Sequence, residues 1–167
     1  MSKGQHLAAR WQEIAEGTVR HLERVPLEHW DWRPHPKSTP LGELTIHLVT
    51  MAGWGRWVIN SEKVDMTNEG PAARDVSSVT NESLVAEFRA GAAASTEALE
   101  TVSDDVLAEH WQLVGGDQVY IDQPREWVLG SIVLDHIIHH RAQLGVYLRL
   151  LDVAVPGIYG PSADETF

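Results

Sequence analysis

The sequence predicts an all-α protein: a four-helix bundle with a small irregular or short-strand insertion before the last helix. Four segments carry apolar residues at three- and four-residue steps, the spacing that lines one face of a helix. Proline and glycine clusters separate them. One polar connection and one extended, Gly-Gly-centred connection complete the pattern, which matches a bundle with a long and a decorated crossover. At 167 residues the chain is long enough for one substantial core, and residues 1–167 read as a single domain.

The first segment runs from Ser2 to Arg24, with Leu7, Trp11, Ile14, Ala15, Val19 and Leu22 on one face. Pro26, Pro34 and Pro36 then forbid a regular helix through Trp30-Asp31-Trp32-Arg33. Thr39 before Pro40, with Glu43 in the first turn, predicts a second helix over 40–60, capped by Thr39. Residues 61–79, with Gly70-Pro71 and several Ser and Asp, read as a loop. Asn81 is the expected cap of a third helix that carries Leu84, Val85, Phe88, Ala92 and Leu99 and ends near Thr101. Its Gly91–Ala94 stretch, all small residues, permits a neighbouring helix to come close. Trp111–Val114 and Val119–Ile121 read as two extended arms around Gly115-Gly116. Pro124 opens a fourth helix that reaches Asp152. The apolar tail from Val153 to Pro161 is expected to fold back onto the bundle or onto a partner subunit.

Composition narrows the function. A net charge of −11 argues against a nucleic-acid surface and against anionic membranes. No apolar run is long enough to span a bilayer, and the charged, helical N-terminus is not a secretory signal. Without cysteine there is no disulfide, thiolate ligand or protein thiol nucleophile, which fits a cytoplasmic location.

The nine histidines carry the chemistry. His136 and His140 are one helical turn apart, so both imidazoles point the same way. With His136 at zero, His140 falls at roughly +40°, Leu129 and Tyr147 at roughly +20°, and Gln143 at roughly −20°. The pair therefore sits in an otherwise apolar, core-facing stripe. His47 sits likewise among Leu44, Met51, Trp54 and Val58 of the second helix. A lone buried imidazole is more commonly a hydrogen-bonded core residue than a ligand. Three on converging faces satisfy one another by sharing a metal, so His47, His136 and His140 are the expected ligands. His139, at roughly −60°, is the rival, as an outer-shell group or proton shuttle. His6, His21, His29, His35 and His110 lack a partner at ligand spacing and read as exposed or capping residues. Imidazole-only ligation favours Zn, Ni, Fe(II) or Cu over Mg or Ca. It leaves a strong Lewis acid able to lower the pKa of a bound water or thiol. No Glu follows either histidine in the zinc-protease arrangement. Glu43, one turn before His47, reads as a helix-dipole partner rather than an outer-shell carboxylate.

The string His136-Ile-Ile-His139-His140-Arg141-Ala-Gln143-Leu-Gly-Val-Tyr147-Leu-Arg149, followed by Pro156-Gly-Ile-Tyr-Gly-Pro161, resembles the DinB/YfiT superfamily of metalloenzymes. Asp31-Trp-Arg-Pro-His35 leading to Leu44-Thr-Ile-His47 adds to the resemblance, which covers nearly the whole chain. It implies a four-helix bundle, often dimeric, with one metal ligand from the second helix and an i, i+4 pair from the fourth. Those positions are His47, His136 and His140. The resemblance implies nickel or zinc, and the imidazole-only ligand set keeps iron as a further option. It also implies a small-molecule substrate handled by an S-transferase or isomerase that uses a low-molecular-weight thiol such as mycothiol, bacillithiol or glutathione. Metal-dependent hydrolysis and non-catalytic binding of a metal or small ligand are the rival readings. Leu134, Ile138 and Leu148, roughly 120° to 200° from His136, form a second stripe that suggests a homodimer or packing within the chain. Arg33, Arg56 and Arg141 are candidates for gripping an acidic cofactor.

Overall fold

The computed structural model describes residues 1–67 and 78–166. The Gly70-Pro71 part of the expected loop lies outside the described residues. The chain is mostly helical, and it also carries a small three-stranded sheet, which corrects the all-α expectation.

Helix α1 (Lys3–Leu22) begins at a reciprocal cap in which the Ser2 hydroxyl accepts from Gln5 N–H and the Gln5 side chain accepts from Ser2 N–H. Trp11, Ile14, Val19 and Leu22 are buried on one face. After a 3-10 turn at Leu27–His29, the chain doubles back onto the start of α2 (Leu41–Met51). Thr39 does not cap this helix. The Leu41 and Gly42 N–H groups instead donate to the carbonyls of Trp32 and Trp30, each at 2.8 Å. Two donors left free at a helix start are thus satisfied by backbone from the preceding segment. The contact is close: a Cβ on Gly42 would lie 2.1 Å from Trp30 Cε2. Gly42→Ala is therefore expected to cost about 1–3 kcal/mol by overpacking. A urea midpoint equal to wild type would reject this.

The expected single helix over 40–60 is broken. A turn at Ala52-Gly53 separates α2 from α3 (Trp54–Asn60). Ser95 explains why the break is tolerated. Its hydroxyl donates to the Ala52 carbonyl at 2.6 Å and accepts from Arg56 N–H at 3.2 Å, satisfying groups the turn leaves without helical partners. Ser95 belongs to α4 (Asn81–Thr101), which approaches so closely that a Cβ on Gly91 would sit 3.0 Å from Ala52 Cβ. The cap of α4 is Thr80, bonded to Ser83 N–H, not Asn81. Asn81 Nδ2 instead donates to the Leu22 and Val25 carbonyls at the end of α1.

A short helix α5 (Asp104–Ala108), capped by Ser103, leads into the sheet. Strands β2 (His110–Gly115) and β3 (Gln118–Pro124) are antiparallel around Gly116, whose φ of 60° suits glycine. The third strand, β1 (Lys63–Asp65), pairs parallel to β2 and falls where a loop was expected. Arg125, 5% exposed, ties sheet to helices by donating to the Val58, Ser61 and His110 carbonyls and to Glu109.

The last helical run comprises α6 (Arg125–Trp127), a π-helical stretch (Val128–Asp135) and α7 (His136–Leu150). The π stretch turns less per residue, so angles counted at 100° hold from His136 onward and not before it. Leu134 and Leu148 are fully buried within this chain and Ile138 packs against its core, which answers the second stripe without a partner. Asp152 adopts φ 58° and stops α7, with Val153 N–H returning to the Leu148 carbonyl. The tail folds back on its own chain. Arg20 donates to the Gly157 carbonyl and Arg24 to that of Ala154, both arginines pair with Glu165, and Arg149 pairs with Asp164. Arg141 is buried and belongs to the same fastening: it donates to the Ile14 carbonyl and to Tyr159 Oη. Among the described residues, no helix is long and apolar enough to cross a membrane.

Candidate metal centre

Helix α2 presents His47 toward the first two turns of α7, which present His136 and His140. Each helix is seated by its buried residues: Leu44, Leu48 and Met51 on α2, and Ile137, Leu144 and Tyr147 on α7. Tyr147 also donates to the Thr39 carbonyl at 3.1 Å, tying α7 to the approach to α2.

The three rings converge. Their centroids lie 4.6 Å apart for His47–His140, 5.4 Å for His47–His136 and 4.5 Å for His136–His140. One ligand atom from each lies within 4.8 Å of the others, and all three side chains are half-buried. Trp54 closes one side, its ring 5.5 Å from that of His47 and 5.8 Å from that of His136.

Burial is the first cause that lowers the pKa of each of the three histidines, and the neighbouring imidazoles add to it. His47 is lowered from 6.5 to about 4, by burial first and then by His140 and His136. All three are therefore neutral near pH 7, the state in which imidazole offers a lone pair to a metal.

The donor set fits a divalent ion. His136 Nε2 and His140 Nε2 face each other at 2.7 Å. Two neutral nitrogens at that distance need a proton or a cation between their lone pairs. A third imidazole stands beside them, and the set contains no carboxylate, so an N-preferring metal such as zinc or nickel suits it better than magnesium or calcium.

A sequence profile of the DinB family matches residues 1–166. The chain belongs to the DinB family. It is similar to the uncharacterised protein YrdA of Bacillus subtilis (strain 168), at 27% identity over 162 residues, covering 96% of this chain and 90% of that protein. Among solved structures it is similar to the DinB-like protein YjoA of Bacillus subtilis, with a TM-score of 0.67 and 17% identity, over 92% of this chain and 96% of that one. At that identity the likeness speaks for the fold alone.

In this DinB-family chain His139 stands apart from the trio. It is exposed, with its ring 5.0 Å from that of His140. Glu43 is exposed in the first turn of α2, as suits a helix-dipole partner. His6, His29, His35 and His110 are exposed, and His110 pairs with Asp122 at 2.6 Å. His21 departs from the expectation: it is 4% exposed, with Nδ1 bonded to the Gly17 carbonyl. Its ring packs against α7, where a Cβ on Gly145 would lie 3.3 Å from His21 Nε2, a contact between helices that the periodicity of α1 does not report. Arg33 and Arg56 are exposed, whereas buried Arg141 holds the tail. The residue that sequence reasoning left unused is Gln143, whose Oε1 lies 2.7 Å from His140 Nδ1. Its i+3 spacing from His140 was the available signal.

The lowered pKa of His47 has a consequence for the metal-free protein. Above pH 6.5 the ring is neutral in both folded and unfolded states. As pH falls toward about 4, the unfolded chain takes a proton that the folded chain refuses, so stability drops through that window. The thermal midpoint is expected to fall there, with a shallower slope in His47→Leu. Identical slopes would reject the assignment.

Proposed function

We propose that this chain is a metal-dependent enzyme of the thiol-dependent S-transferase or isomerase type. His47, His136 and His140 hold one divalent ion, nickel or zinc ahead of iron. The observation that carries this reading is the convergence of three neutral imidazoles from two helices, ligand atoms within 4.8 Å, with no anionic side chain among them. Such an ion supplies a Lewis acid that lowers the pKa of a bound thiol.

The chain's own residues do the rest. His47, His136 and His140 fix the position of the ion from rigid helices. Trp54 walls one side of the trio. The chain has no cysteine, which is compatible with a nucleophilic sulfur supplied by a small-molecule thiol for attack on a small electrophilic substrate. Elemental analysis of purified protein, followed by turnover of electrophiles with and without mycothiol, bacillithiol or glutathione, tests the reading. One ion per chain with thiol-dependent turnover supports it. Turnover without thiol points to hydrolysis, and bound metal without turnover points to a binding protein.

We read α1, α2, α4 and α7 as the arms of a four-helix bundle within one domain over 1–167, and the protein as cytoplasmic. The homodimer reading rests on Val146 and Leu150, more than half exposed one turn apart on the outer face of α7. Sedimentation at micromolar concentration that finds monomer alone rejects it.

A further inference from the structure

We infer that Gln143 is a positioning residue of the histidine centre: its amide oxygen holds the Nδ1 proton of His140 and turns His140 Nε2 toward His136 and His47. The inference rests on the three-histidine reading above and extends it to a residue that holds no ion itself.

Two contacts carry it. Gln143 Oε1 lies 2.7 Å from His140 Nδ1, and three residues further along the same helix the amide is placed to stay there. His140 Nε2 points the other way, 2.7 Å from His136 Nε2. An imidazole with both nitrogens engaged has its tautomer set by whichever partner fixes the proton. An amide oxygen is an acceptor only, so the Nδ1 atom donates to it and Nε2 keeps its lone pair. Without that acceptor, His140 is free to carry its proton on Nε2, where it blocks a ligand position.

The choice of an amide has a further effect. A carboxylate at this place would supply the same acceptor together with a negative charge, and would partly neutralise an ion held by three imidazoles. Gln143 orients the ring and would leave the charge of a bound ion intact, which would favour an anionic donor beside it.

Gln143 is exposed, so its replacement leaves the core untouched. Two variants separate the roles: Gln143→Leu removes the acceptor, and Gln143→Glu retains it. The zinc dissociation constant is read by competition with a chromogenic chelator, and the tautomer of His140 by nitrogen chemical shifts of the metal-free protein. Wild type is expected to hold His140 with the proton on Nδ1. Gln143→Leu is expected to lose that preference and to bind zinc roughly 10–100-fold more weakly, with Gln143→Glu recovering affinity to within about threefold of wild type. Three results overturn the inference: a wild-type proton on Nε2, a Gln143→Leu variant unchanged in affinity and tautomer, or a Gln143→Glu variant as weak as Gln143→Leu. Should wild type take up no zinc, the three-histidine reading falls, and the tautomer in the metal-free protein still decides the role of Gln143.

Discussion

His136→Ala is expected to abolish stoichiometric metal binding, with affinity lower on the order of 1000-fold. Removing a residue that merely supports a ligand costs roughly 10–100-fold, and removing a ligand from a set of three costs more. His136 is the variant of choice because it faces both partners, its Nε2 lying 2.7 Å from that of His140 and its ring 5.4 Å from that of His47. Dialysis against zinc followed by elemental analysis gives the answer. His139→Ala is the control, expected to retain a full complement because its exposed ring lies outside the trio. Equal metal content in wild type and His136→Ala would end the metal reading. Equal loss in His136→Ala and His139→Ala would move the site elsewhere on α7. Acid gives a second view of the same chemistry. Because burial first, and neighbouring imidazoles after it, hold the three pKa values down, protons compete poorly for these nitrogens. The ion is expected to stay bound at pH values where an exposed histidine has already protonated.

The features that were readable in the sequence are those whose cause is local. His136 and His140 share a face because a helix repeats every turn, and that holds without knowledge of any neighbour. His47 required one step more, a second apolar stripe with an imidazole at its centre. The features that escaped depend on contacts between distant segments. The start of α2 is set by the Trp30 and Trp32 carbonyls, so the Thr39 hydroxyl was never needed as its cap. The break at Ala52-Gly53 is tolerated because Ser95, about forty positions away, supplies the missing partners. Strand β1 is three residues long, too short for alternation to show, and exists because β2 offers an edge. The π stretch before His136 is likewise invisible to a count at 100° per residue.

Arg141→Ala is expected to destabilise the protein by about 3 kcal/mol, through lost hydrogen bonds to a charged group and lost packing, while leaving zinc affinity unchanged. Arg141 follows His140 directly in the motif, yet the two side chains leave α7 in different directions. His140 meets His47 of α2, whereas Arg141, 3% exposed, reaches across to α1. There it donates to the Ile14 carbonyl at 3.2 Å, and to Tyr159 Oη at 3.0 Å in the tail, with its guanidinium carbon 5.4 Å from the centroid of the Tyr159 ring. Its seat is built for it: a Cβ on Gly17 would come within 2.7 Å of an Arg141 guanidinium nitrogen. The loss is bounded, because the Ile14 carbonyl keeps the Thr18 hydroxyl as a donor and exposed Tyr159 turns to water. The tail also keeps its Glu165 and Asp164 pairs, so it loosens around Tyr159 and stays attached at its end. Urea unfolding should report the stability loss, and amide exchange should quicken around residues 157–160. A variant as stable as wild type would remove Arg141 from the framework. A variant that folds normally but loses zinc would make Arg141 part of the site, and the assignment of neighbouring residues to separate tasks, one facing the metal and one fastening the tail, would fail.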